Sequence, residues 1–499
     1  MTSAAAWELF ERRMREVEDL NASLGLLAWD EQTFCSPRGR EARSQHTATL
    51  SSLVHERVTD EPFGDAVETL AADGAGLTDA QRAMVRVVKH DRDRSVLLDG
   101  ALVRALAEQA SRANRAWEAA RAARDYRVFE PEFARLLALK VQQADCLAQG
   151  GDRYDALLDG YEPGMTVAKL GPILAGLRGE LVPFVGELLD QPEPDRSFLD
   201  GPYDQARQRE LVVRILTDVG FDFTAGRLDV STHPFCGGPG PSDVRLTTRY
   251  YRSLDPGALL SSLHECGHGL YEQGMPAQYA RTAIAHTPSL GLHESQSRFW
   301  ENVVGRSAAF WARYLPVAQA LFPDQLAAVT VDRMVRALNR VRRTPVRVDA
   351  DEVTYNLHIL VRYELERALL DGSVSTRDLA DAWNQRYRAY LGYTPVDDLE
   401  GVLQDIHWSW GELGYFPTYT IGNLYAAAID EAIRRDLDLD AAIRDGAYSV
   451  VLEWLRSRVH QHGRIVESAP LIQSVTGQTV SHEPFMRYLH TKYRALYCL

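Results

Sequence analysis

Helical periodicity runs almost from end to end of this chain and constrains its fold more than any other feature. Trp7, Phe10, Met14, Val17, Leu20 and Leu24 recur at the three- and four-residue spacing that lines one face of a helix. The same pattern extends over about 79–122, 129–149, 166–190, 206–218, 324–341, 352–371, 375–391, 439–459 and 483–497. Strand-like alternation is rare. Its best instance is Asp243 to Tyr250, after the turn-rich Cys236-Gly237-Gly238-Pro239-Gly240-Pro241, and Val346-Arg347-Val348 is a shorter second candidate. A 499-residue chain so patterned predicts a mainly α protein, a large helical body with one small sheet. No repeat or low-complexity stretch divides it. The acidic, proline-bearing 190–195 segment reads as a surface loop, so residues 1–499 are expected to form one unit.

Composition excludes several classes. A net charge of −14 argues against a nucleic-acid partner. Five cysteines, scattered and odd in number, argue against a disulfide framework and for a reducing, cytoplasmic setting. The first twenty residues are charged throughout and lack the apolar centre of a signal peptide, and no run reaches the length of a membrane span.

Within the helical pattern, His264-Glu265-Cys266-Gly267-His268 carries chemistry. The spacing His-x-x-x-His puts two imidazoles one turn apart on one face, and Glu265 beside them suits the base that takes a proton from attacking water. Asp255 and Pro256 are expected to cap this helix, Leu259, Leu260, Leu263, Gly267 and Leu270 to form its apolar stripe, and Gly274 to stop it. Cys266 lies about 200° round from His264 at 100° per residue and reads as a packed thiol. The competing reading is a core helix with two satisfied histidines.

A catalytic metal needs a third ligand and one open position. Glu294, 26 positions after His268, sits near the start of another amphipathic helix and suits that role; an exposed Glu294–Arg298 ion pair explains it equally well. Three later clusters have peptidase chemistry. Arg347 is a fixed-charge fork able to grip a carboxylate, or else an ion-pair partner of Asp349 or Asp351. Gln404-Asp405-Ile406-His407-Trp408 joins acid, imidazole and aromatic, or caps a helix. Tyr415-Phe416-Pro417-Thr418-Tyr419 offers two phenols in a turn flanked by Gly414 and Gly422, able to donate to an oxyanion or simply packed. The strand over 243–250 offers an edge to an extended peptide, or forms a plain hairpin.

Taken in order, these segments resemble the carboxypeptidase Taq family of metallocarboxypeptidases. The resemblance is carried by Trp29-Asp30-Glu31-Gln32-Thr33, Tyr154 to Met165, His233-Pro234-Phe235, Asp243-x-Arg245-x-Thr247, His264-Glu265-x-x-His268, His293-Glu294-Ser295-Gln296, Arg347-x-x-Ala350-Asp351, Gly401-x-x-Gln404-Asp405-x-His407-Trp408 and Tyr415 to Tyr419. It implies a nearly all-helical catalytic domain spanning the chain, with a deep groove covered by N-terminal helices of about 1–160. It implies a homodimer that removes single residues from peptide C-termini with broad tolerance. An endopeptidase or dipeptide-releasing enzyme of the same fold is the runner-up, and a non-catalytic helical scaffold comes behind both. The resemblance makes Glu294 the third ligand beside His264 and His268, for zinc first and cobalt or manganese otherwise. It assigns Arg347, Arg245 and Tyr415 to substrate binding, and Glu265, Tyr419 and His407 to catalysis. Zinc-binding histidines usually donate their other N–H to an acceptor, for which Asp351 and Asp405 are the expected groups.

Overall fold

The computed structural model describes residues 1–254 and 257–499. It is 69% helix and 3% strand, as the periodicity predicts for a mainly α chain. Most predicted helices form within a few residues of their expected bounds. Three break where a cap intervenes. The 79–122 stretch splits into Asp79–Val96 and Gly100–Ala123, because the Asp99 side chain accepts the Ala101 N–H and starts a new helix. The 324–341 stretch stops at Leu326 and restarts at Val331 under the Thr330 cap. The 439–459 stretch breaks at Gly446, whose φ of 74° ends the Leu439–Asp445 helix.

The sheet contains two strands that the alternation does not predict. β1 (Gly226–Val230) runs parallel to β3 (Asp243–Thr248), and β2 (Cys236–Gly240) runs antiparallel to it, in the order β1-β3-β2. The glycine- and proline-rich segment expected to be only a turn is β2, whose ladder is irregular between Gly237 and Gly240. Val346-Arg347-Val348 is not a strand, since Arg347–Asp349 forms a single 3₁₀ turn.

Two further differences concern the chemical segments. The helix bearing His264 runs Ala258–Gln273, with Gly257 at its N-cap and φ of 57° there. The caps expected at Asp255 and Pro256 lie outside the described residues. The Tyr415–Tyr419 segment is not all turn. Pro417 opens a long helix, Pro417–Asp436, with Tyr419 in its first turn, and only Gly414 (φ 87°) keeps the turn conformation.

The Ala258–Gln273 helix is buried on nearly every side, including its whole predicted apolar stripe. It lies on the sheet through a hydrogen bond from Ser262 Oγ to Thr248 Oγ1 (2.7 Å) and through Gly269, where a Cβ would meet Phe221 and Leu246. The main apolar core runs through this helix and extends from Ala113 to Tyr493. Phe10, Met14, Phe63, Val67, Leu70, Met84 and their neighbours form a second, smaller core that takes Ala283 and Ile284 from the main body.

Candidate metal and peptidase centre

Two helices and a close approach assemble the centre. Tyr271 packs on His293, and Gly267 lies so near the Gln296–Ser297 backbone that a Cβ there would stand 2.5 Å from the Gln296 carbonyl. The Ala258–Gln273 and Leu290–Arg298 helices therefore run past each other in opposite directions, with His264 and His268 facing Glu294. The long Pro417–Asp436 helix closes the third side at Gly422, where a Cβ would be 2.6 Å from Glu294 Cγ. Glycine is required at both points because no side chain fits.

The Glu294 carboxylate oxygen Oε2 is 3.6 Å from His264 Nε2 and 3.4 Å from His268 Nε2. Ligands held tetrahedrally at the usual zinc distances stand about 3.3 Å apart. Two imidazole nitrogens and one carboxylate oxygen at this spacing therefore fit a small divalent cation. The charges agree. Burial works against ionised Glu294, yet Arg298 and the two histidines hold it well below the usual carboxylate range. Burial, with His293 nearby, pushes His268 down to about 3, which leaves it the neutral ligand a metal needs. Burial would also lower His264, but Glu294 and a hydrogen bond to Glu301 outweigh it and hold a proton there up to about 9. A cation binding at His264 must displace that proton.

Each ligand is oriented by a neighbour. His264 Nδ1 donates to Glu301 (2.9 Å), and His268 Nδ1 donates to the His293 carbonyl (3.1 Å). Glu294 gives its other oxygen to Arg298 Nε (2.7 Å), so only Oε2 faces the histidines. Glu265 is buried, and burial raises its carboxyl to about 7. Cys266 is fully buried and packed, as expected.

The second cluster lies one step outward. Tyr419, one turn before the Gly422 contact, has its hydroxyl 3.3 Å from His407 Nε2. Tyr415 packs against both His407 and Tyr419. The Arg347 guanidinium lies 5.0 Å from the Tyr419 ring centre, donates to Asp405 (2.9 Å) and donates to the Tyr355 hydroxyl (2.8 Å). Arg362 holds the other Asp405 oxygen at 2.6 Å through Nε. Burial pushes His407 down to about 4, so its ring is neutral.

Some expected residues are elsewhere occupied. Arg347 pairs with neither Asp349 nor Asp351. Asp351 instead accepts the backbone N–H groups of Val353, Thr354 and Arg342 and starts the helix that begins at Tyr355. Neither Asp351 nor Asp405 receives a ligand histidine's second N–H; Glu301 and the His293 carbonyl do. Arg245 forks onto Asp243 (2.9 and 2.7 Å) and stacks 4.3 Å from the Trp29 ring centre, which ties it to the N-terminal helix. The Glu294–Arg298 pair exists, but it is buried rather than exposed and coexists with the ligand geometry.

Sequence reasoning missed Glu301, Tyr355, Arg362 and Glu162. For Glu301 a signal was present, since Glu294, Arg298 and Glu301 fall at i, i+4 and i+7 on one face. A local π-helical turn over Phe299–Val304 carries Glu301. Glu162, buried and held up to about 8 by that burial, accepts the Gly291 N–H at the start of the Leu290–Arg298 helix.

The chain is similar over nearly its whole length to known carboxypeptidases. Residues 9–493 match the family model described as carboxypeptidase Taq (M32) metallopeptidase. Thermostable carboxypeptidase 1 of Thermus thermophilus is 42% identical over the whole of both chains. Carboxypeptidase 1 of Bacillus subtilis is 34% identical over 97% of each. The crystal structure of the M32 carboxypeptidase from Deinococcus radiodurans superposes with a TM-score of 0.96 at 38% identity, covering 99% of this chain and 100% of the other. Metallocarboxypeptidase 1 of Trypanosoma cruzi gives 0.93 at 34% identity, over 99% and 100%.

Proposed function

The chain belongs to the carboxypeptidase Taq (M32) family of metallopeptidases and is a metallocarboxypeptidase, and from that premise we propose that it releases single residues from free peptide C-termini with broad side-chain tolerance. His264, His268 and Glu294 hold the metal, with zinc the first choice for this ligand set and cobalt or manganese accepted by it. When bound, the cation supplies Lewis acidity, acidifying water and polarising a carbonyl oxygen. Glu265 takes the proton of the attacking water and delivers it to the leaving amine; a buried carboxyl raised to about 7 suits both transfers. Tyr419, with neutral His407 behind it and Tyr415 against it, donates to the developing oxyanion.

One observation carries the exopeptidase reading. Arg347 and Arg362 are both buried, at 6% and 0% exposure, and share the single carboxylate of Asp405. Glu366, one turn on from Arg362, is also buried, but burial holds its carboxyl up to about 7, so Asp405 alone is fully ionised beside the two guanidiniums, and a buried charge short of a partner is costly. A substrate's terminal carboxylate supplies the missing charge at Arg347. Arg245, already engaged by Asp243 and Trp29, helps indirectly by seating the sheet against the N-terminal helix. The N-terminal helices cover the groove, a cytoplasmic setting accords with five unpaired thiols, and the assembly is a homodimer.

The test compares a free-acid peptide with its C-terminal amide. The amide is expected to lose about 100-fold or more in kcat/KM, the range for removing one partner of a buried charge pair. Equal rates point to an endopeptidase or dipeptide-releasing enzyme instead. Glu265→Gln should lose about 10²-fold or more in turnover while metal content stays unchanged; full activity in that variant rejects the mechanism.

A further inference from the structure

Tyr355 stands between the metal side and the carboxylate side of this centre and touches both. The Arg298 guanidinium, which grips Glu294, lies over its ring at 4.5 Å. Its hydroxyl accepts from Arg347 Nη1 at 2.8 Å. Its ring meets Tyr419 edge-on at 6.1 Å. It is 6% exposed and opens the Tyr355–Leu370 helix, whose start is pinned by three hydrogen bonds to the Asp351 carboxylate, from the Val353 N–H and from the N–H and hydroxyl of Thr354. Three residues along, His358 Nδ1 and the Tyr387 hydroxyl are 2.9 Å apart, so the first turn is anchored as well.

We propose that Tyr355 is a positioning residue that fixes the separation between Glu294 and the Arg347 guanidinium, and so sets how far from the substrate's end the scissile bond lies. The physical reasons are rigidity and polarity. An arginine on a flexible stem cannot by itself hold a sub-ångström position; a planar ring on a capped helix can, and it gives each guanidinium the surface it binds best, a π face for Arg298 and an oxygen for Arg347. The ring thereby links the Arg298–Glu294 pair to the Arg347–Asp405 pair without adding a charge. This inference rests on Arg347 being the carboxylate clamp.

Three variants of the metal-loaded protein separate the two ideas. Arg347→Ala tests the clamp and should abolish the preference for free acid over amide. Tyr355→Phe keeps the ring and removes the hydroxyl. It should raise KM for the free-acid peptide about tenfold, the effect of losing one hydrogen bond to a charged group, with kcat, metal content and melting temperature nearly unchanged. Tyr355→Leu removes the ring as well, and mass spectrometry of a peptide ladder should then show dipeptides among the products. If Arg347→Ala loses the acid preference while Tyr355→Phe keeps wild-type KM and Tyr355→Leu releases only single residues, the inference is wrong and the clamp stands. If Arg347→Ala keeps the acid preference, the clamp itself is wrong and the inference falls with it.

Discussion

Glu301 illustrates how much of a metal site lies beyond its ligands. Its carboxylate accepts the hydrogen bond from His264 Nδ1–H and is itself held down to about 2: burial opposes ionisation, but the His264 hydrogen bond and Arg298 outweigh it. The hydrogen bond fixes the ring so that Nε2 points at Glu294, and it raises the basicity of that nitrogen. Glu301→Gln should therefore lower metal affinity by about 10- to 100-fold while leaving all three ligands in place. Competition against a chromogenic chelator measures this, and wild-type affinity would mean that packing alone orients His264. The two histidines were legible in the chain because His-x-x-x-His is a local pattern, whereas spacing alone left Glu294 open. Glu301 was less so because its role depends on a partner 37 positions away.

At the level of elements, the centre depends on three helices approaching more closely than side chains ordinarily allow. Gly267 admits the Gln296–Ser297 backbone and Gly422 admits Glu294. A methyl at either point has nowhere to go, since the atoms it meets are backbone or the ligand's own stem. Gly422→Ala should destabilise by about 1–3 kcal/mol, the range for overpacking a well-filled interior, and should weaken metal binding because Glu294 must shift. Gly267→Ala should cost at least as much, because it forces the two ligand helices apart. Thermal unfolding with and without chelator reads both effects; an unshifted melting temperature for Gly422→Ala would show that Glu294 yields freely. These glycines were read from sequence as part of an apolar stripe and a turn boundary. Close approach is a property of pairs of elements, and nothing local announces it.

Across the whole molecule, the helices before Gly100 keep a small core of their own, which Ala283 and Ile284 enter from the body, and charged pairs add to that join. His90 bonds Asp159 (2.8 Å) across this seam, Arg94 bonds the same carboxylate, Arg464 bonds Asp91, and Arg281 and His286 reach Asp19 and Glu18. Hydrogen bonds to Asp159 and Asp91 raise His90 to about 9, against the pull of burial. A histidine whose folded pKa is raised stabilises the docked state fully below about 6.5 and loses that contribution as pH rises through 9. Hydrogen exchange over Asp79–Val96 should therefore quicken between pH 7 and 9.5, beyond the intrinsic chemical rate. His90→Ala should remove the pH dependence; if it persists in that variant, another group along the seam is responsible.

The chain by itself determined the helical class, the pair of histidines one turn apart with Glu265 beside them, and the later polar clusters, because each is written in short-range spacing: 3.6-residue periodicity, a His-x-x-x-His turn, a fork of Arg beside acids; spacing left Glu294 balanced between ligand and ion pair. It did not determine the sheet's full extent, the pairing of Arg347 with Asp405, the withdrawal of Arg245 to Trp29, or the placing of Tyr355 between two arginines. Those were decided by tertiary structure. A buried charge needs hydrogen-bond partners or an opposite charge within a few ångströms, and which groups meet depends on how helices far apart in sequence come to share one interior.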